Sequence, residues 1–228
     1  MKLSIVIPVY NEAKTLEELV KRVKAVDGID KEIILVEDAS RDGSKELIER
    51  LVREDSSMVA VYHLVNMGKG AALRSGFQKA TGDYVIVQDA DLEYDPQEYH
   101  KLLKPVIDGK ATVVYGSRFT GEHRNMNFKH WVGNQFLTLV TNVLYDTTLS
   151  DMETCYKLFP RELIQNVKLR SNRFDFEPEI TAKILKTGVR IYEVPISYAG
   201  REANEGKHIS WKDGLPALWA LIKYRFVD

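Results

Sequence analysis

The feature that most limits what this chain can fold into is the regular alternation of short apolar runs and amphipathic segments through its first half. Leu3 to Val9 reads as a strand and Ala13 to Val26 as an amphipathic helix. The pattern repeats with a strand over Glu32 to Val36, a helix from about Ser44 to Arg53, a strand over Met58 to Leu64 and a helix over Lys69 to Lys79. It continues with a strand over Tyr84 to Gln88, a helix over Gln97 to Asp108 and a strand over Thr112 to Tyr115. Strands interleaved with helices of this length predict an α/β fold: a Rossmann-like, mostly parallel sheet with helices on both faces. Right-handed crossovers then gather the loops that follow the strands along one edge. Ligands of open α/β sheets bind at that edge.

The second half is less regular. Phe119 to Phe128 is polar and reads as a mobile loop, and Trp131 to Tyr145 has broadly helical spacing with a wide apolar face and little charge. Such a helix belongs to the core or faces a lipid surface, and the pattern leaves both readings open. Helices are expected over Pro160 to Val167, from Phe174-Asp175-Phe176-Glu177-Pro178-Glu179 to Lys186, and over Asp213 to Phe226, with a strand over Arg190 to Val194. With no repeat or linker in its 228 residues, the chain is expected to form one domain, 1–118 being a donor-binding half and 119–228 an acceptor-side half.

A net charge of -1 argues against a general nucleic-acid binder. The single cysteine, Cys155, cannot form an internal disulfide, which suits a reducing compartment, and it is expected to be a small buried hydrophobe. Met1-Lys2 leads straight into Leu3–Pro8, too short for a secretory leader, and no apolar stretch approaches the roughly 20 residues that span a bilayer. The expected location is therefore cytoplasmic.

Chemistry concentrates at Val87-Gln88-Asp89-Ala90-Asp91-Leu92. Two carboxylates one residue apart at the end of a buried strand suit a hard divalent cation, Mg2+ or Mn2+, whose remaining positions take water and substrate phosphate. The competing reading is an acidic turn into a helix. That turn is already supplied by Asp95-Pro96-Gln97-Glu98, with Asp95 as N-cap, Pro96 first in the helix and Glu98 closing a capping box. The first strand-to-helix turn, Pro8-Val9-Tyr10-Asn11-Glu12, has no glycine, so a dinucleotide site of the G-x-G-x-x-G kind is not expected. Asn66-Met67-Gly68-Lys69-Gly70 is only a partial phosphate-loop pattern, although Lys69 can lie near the ligand edge.

Four segments taken in order closely resemble the inverting family 2 glycosyltransferases of the GT-A fold: the Pro-Val-Tyr-Asn-Glu turn, Glu37-Asp38-Ala39-Ser40, Asp89-Ala90-Asp91, and Gly116-Ser117-Arg118-Phe119. Within that family the chain looks most like the polyprenyl-phosphate group that includes dolichol-phosphate mannosyltransferases. The likeness extends through Asp151-Met152-Glu153-Thr154-Cys155-Tyr156-Lys157 and the late Arg201…Glu205-Gly206-Lys207. The resemblance implies that Pro8, Tyr10, Glu12 and Asp38 hold the nucleoside of a nucleotide-sugar. It implies that Asp89, Ala90 and Asp91 meet the metal and the diphosphate, with Glu93, where relatives often carry Gln, as a further metal ligand. Arg118, Arg201 and Lys207 would neutralise donor diphosphate and acceptor phosphate. Asp91, Arg118 and Asp151 would form the catalytic set, Asp151 serving as base or acceptor-positioning group with Glu153 in reserve.

The implied reaction moves a hexose from GDP-mannose or UDP-glucose to a polyprenyl or dolichyl phosphate, with metal and basic groups stabilising the departing nucleoside diphosphate. The enzyme would touch the inner face of the membrane through the Trp131 to Tyr145 stretch and the basic, aromatic last helix. Two other readings share the same residues: transfer to a soluble sugar or growing glycan, and a nucleotide-sugar-binding protein without transfer activity.

Overall fold

The computed structural model describes residues 1–124, 126–201 and 214–227. Its first half follows the expected alternation. Strands β1 (Lys2–Val9), β2 (Asp30–Glu37), β3 (Met58–Tyr62), β4 (Tyr84–Val87) and β5 (Val113–Ser117) interleave with helices α1 (Leu16–Lys24), α2 (Ser44–Glu54), α3 (Lys69–Lys79) and α4 (Tyr99–Ile107). The second half adds α5 (Phe128–Tyr145), β6 (Lys157–Pro160), α6 (Arg161–Asn166), α7 (Phe176–Lys186), β7 (Ile191–Pro195) and α8 (Gly214–Phe226).

The strands form one seven-stranded sheet in the order β3-β2-β1-β4-β6-β5-β7. β1 pairs in parallel with β2 and β4, β2 with β3, and β5 with β7, whereas β6 runs antiparallel to both neighbours. Ile5, Val6 and Ile7 are all fully buried. Successive strand residues point to opposite faces, so both faces of the sheet are covered. α1 supplies part of that cover by turning Leu16, Leu19, Val20 and Val23 inward.

β6 is the element that residue patterning misses. It is short, and it opens on Lys157, a residue type almost never buried without partners. Here Lys157 is 1% exposed. Its ammonium donates to the carbonyls of Met152 (2.8 Å) and Thr154 and lies 4.5 Å from the centre of the Tyr115 ring. These contacts replace water, and they anchor the turn carrying Asp151 and Glu153 beside the sheet.

Two local expectations are corrected. Asp95 caps the turn by accepting from Gln97 N at 3.0 Å, and Pro96 opens it, but Glu98 closes no capping box. Its carboxylate instead accepts from Ser197 N and Oγ, at 3.2 and 2.9 Å, and pairs with Lys101. The helix expected from Trp131 begins at Phe128, capped by the Asn127 side chain. Only part of its apolar surface is core: Leu137, Thr138 and Thr141 are buried and Val140, Leu144 and Tyr145 pack against the cluster around Leu137, whereas Phe128, Trp131, Val132, Phe136, Leu139 and Val143 are exposed. Cys155 is buried as expected, and burial pushes its thiol up.

Candidate active site

The loops that follow β1, β2, β4 and β5 converge at the carboxyl edge of the parallel strands. Asn11, Ala39 and Leu92, one in each of the first three loops, adopt φ values of 56°, 58° and 63°. Left-handed backbone is uncommon for side-chain-bearing residues, and such strain gathers at binding sites. Side-chain acceptors on backbone N–H groups hold the first two of these loops. Glu37 accepts from Ala39 N (3.1 Å) and Ser40 N (2.5 Å), Ser40 Oγ from Asn11 N (3.0 Å), and Ser44 Oγ from Glu12 N (3.0 Å). The loops after β1 and β2 therefore form one shelf, from which Tyr10 projects exposed while Pro8 stays in strand register opposite Val36.

Asp38 has a different setting from the open nucleoside contact the resemblance implies. It is buried. Its carboxylate accepts from Met67 N (2.9 Å) and Gly68 N (2.8 Å) and lies 2.7 Å from His63 Nδ1. These contacts fix the turn into α3. Gly68 has φ 91°, and a Cβ on Gly70 would lie 2.4 Å from the Ser171 carbonyl oxygen, so only glycine lets the 171–173 backbone cross the start of α3.

After β4, Gln88 sets the acidic loop. Its Oε1 accepts from Tyr99 and Tyr156 at 2.7 and 2.6 Å, and its amide donates to the Asp89 carbonyl at 3.0 Å. Ala90 is buried between the two acids. Asp89 pairs with Lys69 at 2.9 Å, and Lys69 also pairs with Glu177 of α7 at 2.9 Å. Against the cost of burial, those two carboxylates hold Lys69 protonated, well above the usual lysine value. Asp91 lies 3.2 Å from Arg201 Nη2, which also reaches Glu12 at 3.4 Å. Arg201 thereby ties the β1 and β4 loops together. Burial, with repulsion from Asp89 and Glu93, pushes the Asp91 carboxyl up to about 7.

Glu93, expected as a metal ligand, is committed elsewhere. One oxygen accepts from Tyr198 OH at 2.5 Å and the other from Arg201 N at 2.8 Å. Among the described residues no three His, Cys, Asp or Glu side chains converge to hold an ion. Asp89 and Asp91 nonetheless suit a hard divalent cation. Their donor atoms are all carboxylate oxygens, and the repulsion between acids that, with burial, raises Asp91 is what a cation would lessen.

Arg118 and Asp151 are brought together, though not as an open phosphate clamp and a free base. Asp151 is 0% exposed. It accepts from Arg118 N (2.9 Å), Nε (2.7 Å) and Nη2 (2.7 Å). A carboxylate accepting three hydrogen bonds, two of them from a buried guanidinium, is already committed to Arg118. The reserve residue, Glu153, has the features expected of Asp151. Its Oε1 is buried without a hydrogen-bond partner, and burial, with repulsion from Glu177, pushes its carboxyl up to about 8. Lys207 lies outside the described residues.

Tyr198 joins the two halves of the site: its hydroxyl bonds Glu93, and its ring lies 5.3 Å from the Arg118 guanidinium. Sequence reasoning missed Tyr198 and Glu177. Glu177 read as an ordinary acid at a helix start, and its only warning was the apolar neighbours Phe176, Pro178 and Ile180 in a helix that proves almost wholly buried.

The family model described as Glycosyl transferase family 2 matches residues 4–168. The undecaprenyl-phosphate 4-deoxy-4-formamido-L-arabinose transferase of Pseudomonas fluorescens (strain SBW25) is 32% identical over 211 residues, covering 90% of this chain and 59% of that protein. The transferase of the same name from Enterobacter sp. (strain 638) is 30% identical over 214 residues, covering 91% of this chain and 62% of its own length. The chain thus spans about three fifths of these relatives. Glucosyl-3-phosphoglycerate synthase from Mycobacterium tuberculosis, crystallised with Mn2+, UDP and glucosyl-3-phosphoglycerate, superposes with a TM-score of 0.75 at 19% identity, covering 100% of this chain and 81% of that one. The same synthase with Mg2+ and UDP gives 0.74 at 18% identity, covering 100% and 80%. At such identity the likeness establishes the fold, which is GT-A. With an ordered set of acidic strand-end loops, that fold and a family match over most of its length, the chain belongs to glycosyl transferase family 2.

Proposed function

We propose that this chain is the catalytic domain of a transferase that moves a sugar from a nucleoside diphosphate to a polyprenyl phosphate, inverting the anomeric carbon. The observation that carries the reading is the meeting of Asp89 and Asp91 with Lys69 and Arg201 at the carboxyl edge of β4. The names of the two transferases similar over 90% and 91% of the chain support the acceptor class. They also widen the donor sugar from the expected hexose, as in GDP-mannose or UDP-glucose, to a modified pentose. Residues 1–118 would hold the nucleotide-sugar and 119–228 the acceptor, with transfer at the cytoplasmic face of the membrane.

Tyr10, on the shelf between the first two loops, would stack on the base or ribose, and Glu12 beside it would accept from a ribose hydroxyl. Lys69 and Arg201 each bridge two carboxylates; a diphosphate entering between them would offer the same donors further charged acceptors. A divalent cation held by Asp89 and Asp91 would supply further neutralisation of the diphosphate. One acceptor phosphate oxygen forms the bond to the anomeric carbon as the bond to the diphosphate oxygen breaks. The acceptor phosphate is ionised near pH 7, so this route requires no strong base. Arg118, fixed by Asp151, would contribute fixed positive charge on the acceptor side.

One observation favours a second reading, transfer to a sugar hydroxyl. That acceptor needs a general base, and Glu153, raised to about 8 with an unpartnered oxygen, has the required basicity. Incubating radiolabelled nucleotide-sugars with a short polyprenyl phosphate and extracting lipid separates the two. Counts in the organic phase are expected; their absence with every donor, from protein that binds nucleoside diphosphate normally, would refute the lipid-phosphate reading.

A further inference from the structure

The segment that follows β7 meets the acid loop at one residue, Glu93. The Glu93 carbonyl accepts from Ala199 N at 3.0 Å, one carboxylate oxygen accepts from Tyr198 OH at 2.5 Å, and the other accepts from Arg201 N at 2.8 Å. Glu93 N in turn donates to Asp91 Oδ1 at 3.1 Å, across the left-handed Leu92. The main chain of Glu93 thus shapes the acid loop, while its side chain holds a segment more than 100 positions away. Glu93 and Tyr198 are both buried, so each needs a partner within the fold. Burial, with the Glu93 charge beside it, pushes the Tyr198 hydroxyl up and keeps it a donor. The Tyr198 ring is itself fixed, edge-on to Tyr94 at 5.2 Å.

Arg201 is the residue that these contacts place. Its Nη2 reaches Asp91 at 3.2 Å and Glu12 at 3.4 Å. Its Nε is buried, lies 3.5 Å from a Glu93 oxygen and makes no hydrogen bond among the described residues. A buried guanidinium N–H without an acceptor is costly, and the acceptors that suit it best are oxygens of a carboxylate or a phosphate. The carboxylates around it are already engaged, Asp91 and Glu12 by Nη2, and Glu93 by Tyr198 OH and the Arg201 N–H. A phosphate oxygen is the acceptor that remains. Drawing Glu93 toward a metal ion would loosen the bonds that keep Arg201 within reach of the acid loop.

We infer that Glu93 is a positioning residue for Arg201: together with Tyr198 it holds the segment after β7 across the acid loop, so that Arg201 presents an unpaired Nε–H to an oxygen of a diphosphate. The inference rests on the nucleoside-diphosphate reading of the site, and it assigns Glu93 to this segment and not to the metal.

The test combines calorimetry of UDP and of GDP with Mn2+, calorimetry of Mn2+ alone, and hydrogen exchange of the Arg201 amide. Tyr198→Phe removes one hydroxyl and leaves the ring and the Glu93 charge in place. It is expected to weaken binding of whichever nucleotide the parent takes by about tenfold, to leave binding of Mn2+ alone unchanged, and to speed exchange at Arg201 N. Glu93→Gln keeps one acceptor for Arg201 N, and its amide can donate to the Tyr198 oxygen, so it should bind the nucleotide within about threefold of the parent. Glu93→Ala should lose about as much as Arg201→Ala, and the two combined should lose no more than Arg201→Ala alone. The inference is overturned if Tyr198→Phe binds nucleotide like the parent, if the losses from Glu93→Ala and Arg201→Ala multiply, or if Tyr198→Phe or Glu93→Gln weakens Mn2+ alone by about tenfold, the mark of a ligand. A parent that binds neither nucleotide refutes the functional reading, and exchange then judges the positioning by itself: faster exchange at Arg201 N in Glu93→Ala upholds it, and unchanged exchange overturns it.

Discussion

Replacing Asp151 by Asn separates a structural counter-ion from a catalytic base. Asp151 Oδ2 accepts from Arg118 N and Nε at 2.9 and 2.7 Å, and Oδ1 accepts from Nη2 at 2.7 Å. Asparagine offers one acceptor oxygen. Whichever way its amide lies, the NH2 group faces an N–H of Arg118, which stays charged because guanidinium does not deprotonate. Arg118 is only 8% exposed, so water cannot compensate. Breaking one side of a buried pair costs about 3–5 kcal/mol. For a domain of this size that is a fall in melting temperature of roughly 6–20 °C. The assay is thermal and urea denaturation at pH 7, with turnover measured well below the variant's melting point. Removing both charges, as Arg118→Met with Asp151→Leu, should recover most of the stability and give a coupling energy above about 2 kcal/mol. An Asp151→Asn protein that melts within about 2 °C of the parent while its turnover collapses would refute the counter-ion assignment and restore Asp151 as a base.

Asp91→Asn should weaken binding of nucleoside diphosphate with Mn2+ by about 2 kcal/mol, roughly 30-fold, in calorimetry. It should also raise the melting temperature of the metal-free protein, because burial and repulsion from Asp89 and Glu93 disfavour the Asp91 carboxylate; unchanged calorimetry would remove Asp91 from the metal site. The Glu153 carboxyl, raised from 4.5 to about 8, keeps its proton in the folded state through a range where the unfolded chain has lost it, so stability should fall as pH rises from about 4.5 to about 8. Glu153→Gln should flatten that decline in melting temperature against pH, and a slope parallel to the parent's would show that Glu153 does not titrate so. Glu32 has the opposite sign: burial pushes its carboxyl up, but hydrogen bonds from Lys2, Ser4 and Thr81 prevail and hold it at about 2. Its stabilisation is present above 4.5 and lost as pH falls through about 2. Glu32→Gln should therefore cost about 2–3 kcal/mol in urea unfolding at pH 7, with the difference vanishing in strong acid.

By itself, the sequence determined the parallel strands of the sheet and the edge at which the site lies. Runs such as Ile5-Val6-Ile7 and Val85-Ile86-Val87 are buried on both faces, and such strands announce themselves as unbroken apolar stretches. The acids after β4 were legible because they stood beyond what the capping turn at Asp95 required. Tertiary structure alone decided what each charged group does, because the partner lies far along the chain. Arg118 meets Asp151 across 33 positions, Lys69 joins Asp89 to Glu177 of another helix, and Glu93 is claimed by Tyr198, 105 positions away. Local spacing carries no record of such pairings, so residue patterning offered Asp151 as a base or acceptor-positioning group and Glu93 as a metal ligand without what each meets in the fold. The same limit hid β6, whose buried Lys157 is tolerated only because carbonyls and a tyrosine ring from other segments enclose it. It also left α5 undecided between core and surface: periodicity fixes which residues share a face, and only packing decides whether that face is covered.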